Sequence, residues 1–520
     1  MPRLLPLLHD LKYAIRSLRK APAFTLVAVL TLGLGIGANS AVFTVVNAVM
    51  LKGLPYRDAD RLVHIWETEP RQQSRQVSYP DFNDVEDQAR TLDGVAGYAF
   101  DAFTLRTGEG SERLAAGRVS ADFFRVLGVE PALGRGFRAE EDQPLLKRSA
   151  ALISYGLWQR RFSGDPGVVG RPITLNDDPF TVVGVLPQDF HFARLGDPEV
   201  FVTLSPDQRA VERRYMHWMW AIGRLAEGAT RDQANAELAS IAATRARADQ
   251  QWHKDTGLRA APLREALVGP IGPVVMGLFA AVGAVLLIAC ANVANMLLAR
   301  ALGRRREMGI RLAMGAGRGR IVAQFLAESL LLSLMGGAAG LLWAGWGVRL
   351  MVAAIPANMA QGLPFLKDLT VEPGVLAFTF AVCLVTGLFF GLVPALRVSS
   401  QQVLESLKDG ARGSTGKQRI RSALVVAEIA IALSLVAATG LMTRSLNRLL
   451  HVDPGFDTEG LLTARVAVPG SRYETPAKLE AFFDQWQMRI GALPGVAGVA
   501  LVDRLSLLGS GNTGTPSIPG

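Results

Sequence analysis

The 520-residue sequence predicts a polytopic α-helical membrane protein, with about five transmembrane helices and a mixed α/β extracytoplasmic domain inserted between helices 1 and 2. Three observations carry that prediction. Hydrophobic residues make up 49% of the chain and charged residues 19%, where soluble domains carry about 25% charged. Five runs with little or no charge are each long enough to cross a hydrocarbon core of about 30 Å. The basic residues behind the formal net charge of +9 gather in three short segments between those runs, which marks a membrane orientation and not a nucleic-acid surface. The mean hydropathy of +0.24 also excludes a disordered chain.

Residues 1–23 read as a cytoplasmic amphipathic segment carrying Arg3, Lys12, Arg16, Arg19 and Lys20. Residues 24–51 hold no charge over 28 positions, well beyond the roughly 7–15 residues of a signal-peptide core, so they read as a retained helix. The outer domain occupies 52–265. Further spans are expected at 266–299, 321–352 and 373–396, with a basic segment at 300–320 and an outer loop at 353–372. A cytoplasmic linker at 397–421 leads to a fifth span at 422–443 and an outer tail at 444–520. Residues 1–20, 300–320 and 397–421 carry +4, +6 and +4, leaving −5 for everything else. Gly33-x-x-x-Gly37 and Gly336-x-x-x-Gly340 allow close helix contact, although as the mark of a specific dimer seam the motif is weak. Glu328 and Glu428 lie near span starts, where the helix dipole favours an interfacial carboxylate over an ion site.

Within the outer domain, Arg171-Pro-Ile-Thr-Leu and Phe180-Thr-Val-Val-Gly-Val flank Asn176-Asp-Asp and read as a hairpin. Thr230 and Gln233 form a capping box, and Ala234, Leu238, Ile241 and Ala242 make the apolar stripe of the helix behind it. Tyr215, His217, Trp218 and Trp220 fit a core or interfacial strand better than a ligand platform. The chain also repeats itself. Asn47 to Pro55 followed by Arg61-Leu-Val resembles Asn447 to Pro454 followed by Gly460-Leu-Leu, each pair behind a spanning helix. Ser78-Tyr-Pro and Thr475-Pro each look like a helix start with proline just inside the cap. A second copy of the unit thus begins and stops at Gly520, as expected of a fragment or truncated product.

Provision for catalysis is scant. Cys290 and Cys383 fall inside apolar runs, and the six histidines (9, 64, 191, 217, 253 and 451) are scattered singly, so neither a disulfide framework nor a metal centre is expected. The stretch Ala411 to Gln418 approaches a phosphate-binding loop but lacks its first glycine and its final hydroxyl residue. No nucleophile elbow occurs, and the spans lack the string of carboxylates a proton relay needs. The chain is therefore expected to have no catalytic residues and no cofactor.

The most informative segment runs from Arg300 to Arg320. Glu307 and Arg311 are one helical turn apart and pair favourably, while Gly315, Gly317 and Gly319 are expected to end that helix. Charge alone explains the segment as a topological anchor. Met308, Ile310 and Leu312 among the arginines point to a docking surface instead.

Arg305-Arg-Glu-Met-Gly-Ile-Arg-Leu-Ala-Met-Gly-Ala316, followed by Gln324-Phe-Leu-Ala-Glu-Ser-Leu, resembles the signature of FtsX-like ABC transporter permeases. The outer domain is similar to the MacB-type periplasmic core domain through Gly117-Arg-Val-Ser-Ala-Asp-Phe-Phe-Arg-Val-Leu-Gly-Val, Gly134-Arg-Gly-Phe, Leu157-Trp-Gln-Arg-Arg-Phe and Val182-Val-Gly-Val-Leu-Pro. The N-terminal stretch Leu11 to Lys20 and Gly33 to Phe43 resembles the duplicated acidobacterial-type branch. The resemblance implies a non-catalytic permease subunit in a bacterial inner membrane. It would couple ATP hydrolysis by a cognate ATPase to movement of the outer domain, for export or envelope remodelling. It places Arg304, Arg305, Arg306, Glu307, Met308, Ile310, Arg311 and Leu312 in the segment that contacts the ATPase. Further partners implied are the bilayer, a second permease copy or C-terminal half, and a periplasmic adaptor. The alternative is a non-transporting mechanotransducer that regulates an envelope hydrolase or an antibiotic response.

Overall fold

The computed structural model describes residues 4–70, 74–107, 110–253, 255–269, 272–303, 318–353, 372–399, 415–452, 460–464, 466, 473 and 475–502. The chain divides into two compact units, residues 1–53 with 268–461 and residues 54–267 with 462–520.

Two helices open the first unit. α1 (Leu4–Arg19) is followed by α2 (Pro22–Val46), whose proline supplies a helical φ where no N–H is needed. One π turn, Asn47–Leu51, extends α2.

The second unit is α/β, as expected. Its elements are β1 (Leu62–Thr68), β2 (Val77–Ser78), α3 (Tyr79–Gln88), β3 (Leu92–Thr107), β4 (Gly110–Val119), α4 (Phe123–Leu127) and β5 (Leu133–Gly134). There follow β6 (Ala150–Ile153), α5 (Tyr155–Phe162), β7 (Pro172–Leu175), β8 (Asp178–Val185), β9 (Val200–Thr203) and α6 (Gln208–Glu212). β10 (His217–Leu225), α7 (Arg231–Ala248), α8 (Gln250–His253), β11 (Gly257–Pro262) and α9 (Leu263–Val268) complete it. The strands form one sheet in the order β11-β1-β10-β3-β4-β9-β6-β8-β5, with β2 on β10 and β7 bridging β3 and β8. It is antiparallel except at β4–β9 and β6–β8.

Strand alternation divides the core between the two faces. Val63 and Ile65 face one layer with Phe82, Leu238 and Ile241, from α3 and α7. Leu62, Ala96 and Tyr98 face the other, with Phe123, Phe192 and Phe201. The hairpin forms around Asn176 and Asp177, whose φ values of 50° and 66° belong to the mirror-image turn that suits paired strands. The capping box forms too: Gln233 N–H donates to Thr230 Oγ1 and Thr230 N–H to Gln233 Oε1. The expected stripe Ala234, Leu238, Ile241 and Ala242 is buried. Edge strand β11 is closed by Asn235 of α7, whose side chain accepts from Ala260 N–H at 2.8 Å and donates to its carbonyl at 3.0 Å. The free backbone groups of Ala260 therefore offer no template for another strand.

The first unit resumes with α10 (Gly272–Gly303), α11 (Arg318–Ala353), α12 (Pro373–Ser399) and α13 (Thr415–Leu450); α14 (Pro476–Gly491) belongs to the second. Among the described residues, four helices are long and apolar enough to cross a membrane: Pro22–Val46, Gly272–Arg300, Val322–Leu350 and Val425–Leu450. In α12 the apolar part, Pro373–Phe389, is shorter. The helix starts at Tyr79 and Pro476 appear where expected, capped by Ser78 and Thr475.

Three expectations need correction. The uncharged run 266–299 is not one helix: its first residues belong to α9, which ends at Val268 before a turn at Gly269, and α10 is described from Gly272. Glu328 and Glu428 lie ten and thirteen residues beyond the first residues of α11 and α13. A dipole effect confined to the first turn does not reach them. Gly319 lies in the first turn of α11 and ends no helix, while Gly315 and Gly317 are outside the described residues.

Candidate functional site

The proposed coupling residues Arg304, Arg305, Arg306, Glu307, Met308, Ile310, Arg311 and Leu312 lie outside the described residues. What the structure shows is how the adjoining helix end is held. Arg300, in the last turn of α10, donates through Nη2 to Ser17 carbonyl at 2.7 Å and lies 4.8 Å over the Phe24 ring. Ala14, Ser17 and Leu18 are buried, fixing the end of α1 within the unit. One guanidinium thus ties α10 to the corner between α1 and α2.

From that corner, α2 runs against three other helices. Asn39 Nδ2 donates to Val282 carbonyl of α10 at 2.8 Å, and Ser40 Oγ pairs with Thr379 Oγ1 of α12 at 2.8 Å. At the far end, Lys52 Nζ and Asn47 Nδ2 hold the Glu372 carboxylate at 2.7 and 3.2 Å. Against α11 the two glycine motifs meet directly: a Cβ on Gly37 would stand 2.7 Å from Gly340 carbonyl oxygen, and one on Gly340 2.9 Å from that of Gly33. The motifs serve contact within one chain. A small cavity among these helices, lined by Leu32, Leu297, Ser333 and Thr386, measures about 10 Å³, about the room one water needs. By contrast α13 leaves Val426, Leu433 and Val436 exposed.

A second concentration of chemistry lies under α7 in the α/β unit. Glu67, Asp81, His217, Arg245 and His253 are all buried. Glu67 extends the face of Val63 and Ile65; Asp81 sits in the first turn of α3; Arg245 continues the stripe of Leu238 and Ile241; His217 opens β10 and His253 ends α8. Glu67 Oε2 is 2.8 Å from His217 Nε2, and Arg245 Nη2 is 3.1 Å from Asp81 Oδ2 and 3.6 Å from Glu67 Oε1. Arg214 Nη1 bridges Asp81 and Asp84 at 2.7 and 2.6 Å. Burial pushes the Glu67 carboxyl up, but contact with His217 and His253 and the charge of Arg245 outweigh it and hold it well below the usual range. Sequence spacing gives no sign of this cluster, since its members come from five elements. The one legible signal is a charged residue, Arg245, on an apolar helical stripe.

A third polar centre joins two strand ends. Asp142 accepts Ala121 N–H at 3.0 Å and Ser205 N–H at 2.9 Å. Burial nevertheless pushes its carboxyl up from 3.8 to about 6, against those donors and Arg148. A folded-state value above the unfolded one makes this group's contribution complete below the unfolded value and lost as pH rises through about 6. Unfolding followed from pH 4.5 to 7.5 should show a decline on the order of 2 kcal/mol from this group. Asp142→Asn should flatten it; an unchanged slope would exclude Asp142 as the source.

Comparison with known proteins bears on both units. The model of the MacB-like periplasmic core domain matches residues 25–241, and that of the FtsX-like permease C-terminal region matches residues 279–403. The macrolide export ATP-binding/permease protein MacB of Chromobacterium violaceum is 27% identical over 300 residues, which is 56% of this chain and 42% of that protein. The pyoverdine export ATP-binding/permease protein PvdT of Pseudomonas savastanoi pv. phaseolicola is 31% identical over 264 residues, 48% of this chain and 36% of that one. The chain thus spans less than half the length of these curated relatives. Among solved structures, the periplasmic region of MacB from Actinobacillus actinomycetemcomitans matches 41% of this chain and 94% of its own, at 12% identity and a TM-score of 0.30. The extracellular domain of the ABC-type transporter YknZ matches 38% and 99%, at 15% identity and a TM-score of 0.29. With both family models matching in order along one polypeptide, the chain belongs to the FtsX-like permeases that carry a MacB-like periplasmic core domain.

Proposed function

We propose that this chain is the membrane-spanning, non-catalytic subunit of an ABC transporter of the FtsX/MacB type in a bacterial inner membrane. Five helices span the bilayer, the basic segments 1–20, 300–320 and 397–421 face the cytoplasm, and the α/β unit lies outside. A separate ATPase binds the Arg304–Leu312 segment, and its closure moves the helices and through them the outer unit. The observation that carries this reading is the order of the two family matches around an apolar helical unit. The names of the relatives, which join an ATP-binding part to a permease, support an ATPase partner and export. A second permease copy or half completes the assembly, and an adaptor outside the membrane is a further partner.

Force transmission without a solute path through these helices is the second reading. The backbone contact between α2 and α11 favours it for this bundle. One experiment tests the coupling assignment. Glu307→Arg with Arg311→Glu should abolish co-purification of the cognate ATPase, and unchanged co-purification would remove the assignment. Introduced cysteines at Lys147 and at position 412 should label from outside and inside respectively; native Cys290 and Cys383 are buried.

A further inference from the structure

We propose that Glu67, Asp81, His217 and His253 form a site for one divalent transition-metal ion of the zinc class. The four residues come from β1, α3, β10 and α8, and all lie in the α/β unit with little solvent access. Ligand atoms of Glu67, Asp81 and His217 lie within 4.8 Å of one another. His253 Nδ1 is 3.6 Å from Glu67 Oε1, and its Nε2 is 3.5 Å from Asp81 Oδ1. Tetrahedral bonds of about 2.0–2.2 Å place neighbouring ligand atoms about 3.3–3.6 Å apart, close to the His253 separations.

Hydrogen bonding points the same way. Both Glu67 oxygens, Asp81 Oδ2, His217 Nε2 and His253 Nε2 are buried and complete no hydrogen bond, although they stand within ion-pair range. Convergent buried acceptors in this state call for positive charge, which Arg245 supplies here and a metal ion would supply in its place. Each Nδ1 has an oxygen within reach: His217 Nδ1 is 2.9 Å from Tyr215 carbonyl, and His253 Nδ1, which also stands 3.6 Å from Glu67 Oε1, is 3.3 Å from Thr256 Oγ1. Donation from Nδ1 to those oxygens would fix the tautomer that leaves each Nε2 lone pair facing the carboxylates. Two imidazoles with two carboxylates suit zinc, cobalt or nickel; magnesium and calcium favour all-oxygen sites.

Arg245 is the main competitor, and Arg214 Nη1 also holds Asp81 Oδ1, at 2.7 Å. Arg245 Nη2 lies against Asp81, Glu67 and His253 Nδ1, the last at 3.1 Å, while its Nε and Nη1 find no hydrogen-bond partner. The guanidinium is a cation beside the same acceptors, incompletely bonded there, and it must withdraw when a metal enters. Arg75 Nη2, 2.6 Å from His217 Nδ1, must likewise yield for that nitrogen to donate to Tyr215. Metal would then join β1, α3, β10 and α8 at one point.

The test uses the full chain in detergent, carrying an affinity tag without histidine, stripped with chelator and reloaded with Zn²⁺ or Co²⁺. Wild type should retain one ion per chain after desalting, and Co²⁺ should give the intense visible bands of a tetrahedral site. His217→Gln and His253→Gln should each weaken Zn²⁺ binding at least about tenfold. Arg245→Met should bind Zn²⁺ more tightly than wild type and be protected by it against thermal unfolding. Wild type that retains no stoichiometric metal would overturn the proposal. So would binding unaffected by both histidine substitutions, or an Arg245→Met protein that unfolds early with and without Zn²⁺.

Discussion

Gly37→Leu should disrupt the packed core of the helical unit, while Gly345→Ala should leave it intact. Both glycines lie in apolar helices, and composition does not separate them. The surroundings do. A Cβ on Gly37 would meet Gly340 carbonyl oxygen at 2.7 Å and its Cα at 3.1 Å, so even alanine forces two backbones apart. At Gly33 the nearest atoms are 3.3 Å away, and at Gly345 nothing lies within 4 Å. Overpacking typically costs about 1–3 kcal/mol, and a leucine driven into opposing backbone exceeds that range. Separating α2 from α11 would also endanger the Asn39–Val282 and Ser40–Thr379 bonds, because α2 holds all three neighbours. The expected order of thermal stability in detergent is Gly345→Ala at or above wild type, Gly33→Ala slightly below, Gly37→Ala lower and Gly37→Leu lowest. An isolated helix would show another pattern, since alanine exceeds glycine in helix propensity by about 1 kcal/mol. Equal behaviour of Gly37→Ala and Gly345→Ala would show that the seam does not form.

Much of this architecture was legible because hydropathy and strand alternation are local. The hairpin at Asn176-Asp177 and the cap at Thr230 need only a few adjacent residues, and both form as read. Boundaries were less legible. Lack of charge reports where a helix could sit in lipid, but α11 and α13 begin in basic sequence well before their apolar parts. That is why Glu328 and Glu428 are interior to helices. The buried ionic cluster was illegible for a different reason. Glu67 to His253 spans nearly the whole α/β unit, and only β1–β10 pairing with α7 above brings its members together. No spacing rule encodes a meeting set by sheet order.

The family motifs of the outer unit contain glycines whose reason is packing, and this sets the second large effect. Gly134 and Gly184 belong to separate motifs and are cross-strand partners between β5 and β8. Gly134 has φ +76°, and a Cβ there would run into Val183 carbonyl oxygen. A Cβ on Gly184 would stand 2.7 Å from the carbonyl oxygens of Leu133 and Arg135 and 2.9 Å from Leu152 Cδ2. Gly136, two residues along the same motif, has nothing within 4 Å. Gly134→Ala combines a left-handed backbone penalty of about 1–2 kcal/mol with a backbone clash, for a loss of roughly 3 kcal/mol or more. The damage should spread, because Arg135 next to it pairs doubly with Glu141, at 2.9 and 2.6 Å. Asp142 beside Glu141 in turn holds Ala121 and Ser205. Gly184→Ala should act comparably, and the double substitution should cost less than the two single losses combined, since either one already parts β5 from β8. Gly136→Ala should unfold with wild type. Thermal unfolding of the four variants settles the matter: additive losses would show that β5 and β8 are not packed backbone to backbone, and sensitivity at Gly136 equal to that at Gly134 would show that the motif is read by something other than this contact.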